Sequence, residues 1–274
     1  MSVSAVCRQL GISRQNYYAR RQARQLRQVD AGLVVALVIA ERKIQPRLGA
    51  RKLHFMLKEL WLKEGVALGR DRFFEVLRGQ GLLLEPKPAV YPCTTHSQHY
   101  LKVYPNRIKG LAVSQPNEVW VGDLTYVRTE LGFLYLALLT DKSSRKVVGY
   151  HCGDTLETGG CLAALKNALA EMPPGARPIH HTDRGSQYCC HEYVNRVEAA
   201  GLSVSMTEND HCAENALAER INGILKSEYG LGGEFKTKAS AHLAVAQAVH
   251  LYNTRRPHTA LGYRTPQAVH ALAA

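Results

Sequence analysis

The stretch "EVWVGDLTYVR", residues 118–128, alternates along its length, with Val119, Val121, Asp123, Thr125 and Val127 on one face. Its β-branched and aromatic content marks a strand. A carboxylate in the middle of such a row is costly to bury without a partner, so Asp123 is the first candidate for chemistry. Gly132 turns the chain into "FLYLALLTD" (133–141), apolar enough for a sheet centre, and "RKVVGYHC" (145–152) supplies a third strand. Short turns between these runs predict an antiparallel meander.

Downstream the periodicity changes. It predicts a helix over 157–171, a strand at "RPIHHTD" (177–183), a helix over 186–200, a strand at "LSVSM" (202–206) and an amphipathic helix at "AENALAERINGILKSE" (213–228). Three antiparallel strands followed by α-β-α-β-α imply an α/β fold with a mixed five-stranded sheet and flanking helices. That is the element order of the ribonuclease H fold. In the 213–228 helix, Leu217, Ile221, Ile224 and Leu225 form an apolar stripe, while Asn215, Glu219, Asn222 and Lys226 form a polar one. A further helix is predicted over 237–253, before a basic, turn-rich tail.

Upstream, "VSAVCRQLGISRQNYYARRQ" (3–22) reads as helix, turn, helix, with Gly11 in the turn and Ser13 as N-cap. The second helix presents Arg14, Gln15, Asn16, Arg20 and Arg21, side chains suited to base edges and phosphates. An ordinary basic helical hairpin has the same pattern. A second amphipathic pair, "GARKLHFMLKEL" and "GRDRFFEVLRGQGLL", ends near Leu84. Pro86, Pro88, Pro92 and Pro105 then interrupt all periodicity. The expected division is a small all-α, helix-turn-helix-like region at 1–84, a linker at 85–114, the α/β core at 115–232 and a helical extension at 233–274.

The net charge of +12 is concentrated at the start of the chain. Residues 1–90 carry 17 Lys and Arg against 7 Asp and Glu, whereas 91–274 carry 18 against 16. This asymmetry points to a polyanion, DNA or RNA, held mainly by the first part; simple solubilisation is the alternative. The longest apolar runs, at 32–40 and 133–139, are short of the roughly 20 residues that span a bilayer. With no signal peptide ahead of them, a cytoplasmic protein with no membrane association is expected. The seven cysteines are odd in number and include no C-x-x-C pair, which argues against a disulfide framework or a zinc finger. Cys189, Cys190 and His191 are adjacent, and adjacent residues converge poorly on one ion.

Asp183 lies where a strand gives way to a turn in "HHTDRGSQY", the usual place for ligand-binding groups in such sheets, and Glu219 comes from the 213–228 helix. Three distant segments can thus bring Asp123, Asp183 and Glu219 to one sheet edge. Clustered carboxylates repel one another and are commonly held together by divalent cations. Two ions roughly 4 Å apart can activate a hydroxyl and stabilise a leaving oxygen in phosphoryl transfer. Oxygen-only ligands favour Mg²⁺ or Mn²⁺.

The blocks "WVGDLTY", "HTDRGSQY" and "ENALAERINGILKSE" resemble the three catalytic blocks of DDE transposases, especially the OrfB type of the insertion-sequence three family, relatives of retroviral integrases. Thirty-five residues separate Asp183 from Glu219, Lys226 stands seven beyond, and "YNTRRPH" with "LGYRTP" also matches the family pattern. One departure is Glu214 before Asn215, where many members have Asp-Asn. The resemblance, covering about 45–270, implies a catalytic and metal-binding triad of Asp123, Asp183 and Glu219, and two Mg²⁺ or Mn²⁺ ions. It implies element ends and target as double-stranded DNA substrates, with Lys226 at the DNA end. It further implies a homo-oligomer of at least two chains, an upstream-frame (OrfA) product as partner and a bacterial, nucleoid-associated setting. Ser186, Gln187 and Asn215 are candidate site support, though turn formation and N-capping explain them as well. Asp141, Asp154 and Asp210 read as structural or solvated.

Three rival readings remain at this point. A tyrosine recombinase would use residue types found in Arg256, His258, Tyr263 and Arg264, but these crowd one short segment. A DNA-binding regulator with an inert core would suit the basic N-terminus. A plain nuclease of the same fold would share the metal site.

Overall fold

A computed structural model describes residues 2–85, 100–208 and 215–272. The chain forms two compact units, residues 1–86 and 87–274.

The first unit is all helical: α1 (Val3–Gln9), α2 (Arg14–Ile44), α3 (Ala50–Lys63) and α4 (Arg70–Gly79). Gly11 adopts φ +62° in the α1–α2 turn, and the Ser13 hydroxyl accepts the Asn16 N–H at 3.0 Å as the N-cap of α2. The second helix does not stop near residue 22. It runs for 31 residues, because the apolar run after Asp30 continues the helix and gives it a core to join. Val34 and Val38 are fully buried with Leu53, Leu57, Trp61, Phe73 and Leu77. Arg14, Gln15, Asn16, Arg20 and Arg21 are exposed. Among the described residues no helix is long and apolar enough to cross a membrane.

The second unit opens with β1 (Val119–Thr129), β2 (Gly132–Asp141) and β3 (Val147–Gly153), paired antiparallel as the meander predicts. There follow α5 (Thr158–Ala170), β4 (Ile179–Thr182), α6 (Ser186–Cys189), α7 (His191–Ala199), β5 (Ser203–Met206) and α8 (Ala216–Glu228). Strands β4 and β5 add in parallel, so the order is β3-β2-β1-β4-β5. A sixth strand, β6 (Glu234–Phe235), pairs with the far end of β1, then α9 (Lys238–Thr254) and α10 (Pro266–Ala271) complete the unit. Six strands therefore replace the five expected; two residues are too few to show a period. The helix expected over 186–200 is broken at Cys190, whose backbone is extended (φ −69°, ψ 147°). The start expected for the last core helix, at 213, lies outside the described residues, as do Pro86, Pro88, Pro92, Asp210 and Glu214.

Residues 100–114 do not behave as a free linker. Leu101 and Tyr104 pack on the core, Ile108 is buried with Val119, Val121 and Ala218, and the Arg107 N–H donates to the Ser205 hydroxyl at 2.9 Å. Buried Asp141 is structural, accepting the backbone N–H groups of Asn117 and Ser144 and the Ser144 hydroxyl, each at 2.7 Å. Asp154 pairs at the surface with Lys238.

Two features matter for the site. Strand β1 is flanked on one side by β2 throughout, but on the other by β4 only at Val119–Val121 and by β6 only at Arg128–Thr129. Residues 122–127 therefore have no strand partner on that side among the described residues. The sheet is also held rigidly to α5 at Gly149: a Cβ there would come within 2.7 Å of the Ala168 Cβ and backbone N. Gly149→Ala is expected to lower stability by about 1–3 kcal/mol through forced separation of β3 and α5, measured by denaturant unfolding.

His180 on β4 is fully buried beside the Tyr193 hydroxyl, 2.8 Å from its Nε2, and burial followed by repulsion from His181 pushes its pKa down to about 4. A histidine with a depressed folded-state pKa is protonated more readily in the unfolded chain. Its contribution to stability is present above the unfolded pKa of 6.5 and is lost as pH falls towards 4. The loss is on the order of 3 kcal/mol, and His180→Gln should flatten this part of a stability-versus-pH curve.

Candidate active site

In parallel register Val121 stands opposite His181. Continuing both strands by two residues brings Asp123 and Asp183 to the same level at the carboxyl ends of β1 and β4, where open sheets bind ligands. Asp183 follows β4 directly; its Oδ1 accepts the Gly185 N–H at 3.0 Å, and a Cβ on Gly185 would come within 3.1 Å of that oxygen. Gly122, beside Asp123, is similarly confined, its absent Cβ lying 3.0 Å from His180 and Thr182.

Helix α8 packs on the sheet face that carries Val121 and Val127 and supplies the third carboxylate. Glu219 is exposed in its first turn, where the helix dipole favours a negative charge. The polar stripe is not a solvated face: Asn215 and Asn222 are both buried. The Asn215 amide donates to the Gly122 carbonyl at 3.2 Å, and the Asn222 amide donates to Asp123 Oδ2 at 2.6 Å. On the neighbouring stripe Ile221, Ile224 and Leu225 join Val127, Leu134, Leu136 and Leu138 of the sheet.

Asp123 carries the strain of this convergence. Its pKa is pushed up to about 7, first by burial and then by the charge of Asp183, with Glu219 acting in the same direction. The Leu124 N–H and the Asn222 amide pull the other way and do not prevail. The three carboxylates sequence reasoning selected are thus brought near one another. Among the described residues no group of three or more His, Cys, Asp or Glu side chains already forms a ready metal cage. The donor chemistry nevertheless fits a hard cation: the acceptors are all oxygens, their like charges oppose one another, and the buried Asn222 Oδ1 beside them has no partner among the described residues.

The other predicted residues are distributed differently. Lys226 is half-buried, not extended into solvent; its ammonium sits 4.1 Å above the Tyr126 ring centroid. Burial lowers its pKa, and nearby Asp123 opposes that shift. Gln187 donates to the Leu156 carbonyl at 2.9 Å, and the Ser186 hydroxyl contacts Gln187 at 3.4 Å, so these two brace the turn after Asp183. Cys189 is buried against the Met206 sulfur, Cys190 faces the Gln187 carbonyl, and His191 is exposed. Asn222 was legible only as a member of the polar stripe; its contact with Asp123, 99 residues away in sequence, had no sequence signal.

Residues 113–212 and 200–266 each match an integrase core domain. A 31 kDa protein of insertion element IS600 from Shigella sonnei is 34% identical over 267 residues, covering 96% of both chains. Transposase InsF of insertion sequence IS3A from Escherichia coli K12 is 30% identical over 275 residues, covering 97% of this chain and 93% of that one. The chain belongs to the IS3 family of transposases. In fold it is similar to a chain of a simian T-cell lymphotropic virus intasome, at 18% identity and a TM-score of 0.50 over 81% of this chain and 74% of that one. This transposase is a DDE-type polynucleotidyl transferase with an integrase core, a class whose general chemistry is divalent-metal-dependent DNA strand transfer and whose members bind DNA and oligomerise.

The "YNTRRPH" segment of the transposase is structural. Arg256 is buried and makes two hydrogen bonds to the Glu228 carboxylate at 2.7 and 2.8 Å, tying the tail to the end of α8. The Asn253 amide pairs with both the N–H and the carbonyl of Val147, each at 2.9 Å, and the Tyr252 hydroxyl donates to the Arg145 carbonyl at 2.8 Å. An arginine committed in this way is not poised over a scissile phosphate, which removes the tyrosine-recombinase reading. Arg256→Ala removes both hydrogen bonds to the partly buried Glu228 carboxylate and should cost about 1.5–3 kcal/mol in urea unfolding.

Proposed function

We propose that Asp123, Asp183 and Glu219 are the catalytic carboxylates of this transposase and hold two Mg²⁺ or Mn²⁺ ions between them. The observation that carries the reading is their convergence. Two stand level at the ends of adjacent parallel strands, and the third lies on a helix whose Asn222 touches the first. When bound, such ions activate a hydroxyl for in-line attack on a phosphodiester and stabilise the departing oxygen. The chain's own contribution is positioning. Asp123 is fixed by the central strand, Asp183 by the turn at Gly185, and Glu219 by a helix packed on the sheet face that carries Val121 and Val127.

The reaction assigned to this site is exposure of a 3′-hydroxyl at the element end, then attack by that hydroxyl on a second phosphodiester. No covalent protein intermediate is needed. Lys226 contacts the DNA end beside the carboxylates, its ammonium oriented by Tyr126. The first unit binds DNA through Arg14, Gln15, Asn16 and Arg20 on the exposed surface of α2, and residues 115–232 form the catalytic core with 233–274 as its extension. Pairing two ends requires at least a dimer, and an upstream-frame product (OrfA) is a further partner. The setting is bacterial and nucleoid-associated.

The test uses the full chain, Mg²⁺ and duplexes carrying the element ends. Asp183→Asn and Glu219→Gln should each lower strand cleavage by at least 10³-fold while leaving DNA affinity within about threefold, since metal-held transition states carry several kcal/mol. Cleavage by Asp183→Asn at the wild-type rate would remove the assignment. Lys226→Ala should chiefly weaken binding of the end. Joining of the 3′-end to a second duplex separates this function from that of a plain nuclease.

A further inference from the structure

We infer that Asn222 is a positioning residue that aims the Asp123 carboxylate at the metal position, so that this amide sets cation affinity. The inference rests on the assignment of Asp123 as a metal ligand and concerns the outer partner of that ligand. Asn222 is more than nine-tenths buried, and its amide donates to Asp123 Oδ2 in a short hydrogen bond of 2.6 Å. A bond of that length to a carboxylate is charge-assisted and fixes the plane of the carboxyl group. Asp123 Oδ2 is thereby tied to α8, so the direction in which the carboxylate can face a cation is set by Asn222.

The other end of the same amide points the same way. Asn222 Oδ1 is buried with no hydrogen-bond partner among the described residues, and an unpaired buried carbonyl oxygen is destabilising. Helix packing alone would be served better by an aliphatic residue, as at Ile221 and Leu225 on either side. A carboxamide that donates to a metal ligand and keeps an acceptor free suits a site where a water on the cation completes the pair. Asn215, the N-cap of the same helix, is the natural contrast: it is equally buried and its Oδ1 likewise lacks a partner among the described residues, but its amide bonds the Gly122 backbone carbonyl instead of a carboxylate.

The experiment measures Mn²⁺ binding to the full chain, without DNA, by electron paramagnetic resonance of the free ion. Asn222→Leu keeps the branched heavy-atom skeleton and removes the amide, and should weaken Mn²⁺ binding about 10–100-fold, the range for partners of metal ligands. Asn215→Leu should weaken it less than threefold although it loosens the same helix. Equal losses in the two variants, or unchanged affinity in Asn222→Leu, would overturn the inference. If Asn222→Leu does not fold, Asn222→Ser, which is too short to reach Asp123, is read by the same criteria. Asp123→Asn is measured alongside. Wild-type affinity there would mean that the metal assignment itself has failed, whereas loss in Asp123→Asn with none in Asn222→Leu would fault only the role of Asn222.

Discussion

An ionisable side chain buried on the central strand of a sheet needs a polar partner on its own face, and the contact between Asp123 and helix α8 is the interaction on which this structure turns. Between Val121 and Arg128 the strand has β2 on one side and, among the described residues, no strand on the other, because β4 ends at Thr182 and β6 arrives only at the end. Helix α8 covers the face that carries Val121 and Val127. It satisfies the Gly122 carbonyl with Asn215, meets Asp123 with Asn222 and seals the level below with Ile221, Ile224 and Leu225.

Much of the remaining architecture holds that helix in place. The Arg256–Glu228 pair grips its C-terminus, and the same tail segment caps the edge of the sheet through Asn253 at Val147. Strand β6 returns the chain to the end of β1 just after α8. On the opposite face α5 lies directly on Gly149. The result is a stiff frame around carboxylates whose mutual repulsion is not relieved by the protein alone: Asp123 stays near pKa 7 despite two hydrogen-bond donors. An arrangement that is electrostatically unfavourable by itself and structurally reinforced on every side is what a cation-binding site requires.

Charge and shape divide between the two units in the same sense as composition. The excess of Lys and Arg lies in the helical unit, where α2 presents an exposed row of basic and amide side chains. The α/β unit, nearly neutral, uses its cations singly, as with Lys226 held against Tyr126 beside Asp123. A diffuse basic surface suits the repetitive phosphate backbone, and a single desolvated ammonium suits one defined phosphate.

The meander and the alternation of later strands and helices were legible in the amino-acid sequence because they rest on local signals, period-two alternation and turn glycines. Asp123 and Asp183 stood out as acidic residues in strand and strand-end contexts, whereas Glu219, on a helix, was singled out only by the resemblance of its block and its spacing from Asp183. The length of α2 was not legible, since a basic amphipathic stretch and an apolar one fuse into a single helix only when a core receives the second. The break at Cys190 carries neither Gly nor Pro, and β6 is too short for any period. Above all, the sequence placed Asn215 and Asn222 on a polar stripe without saying what that stripe faces. Only the tertiary structure decided this, because whether an amide meets water or a carboxylate 99 residues away depends on which face of the sheet α8 packs against.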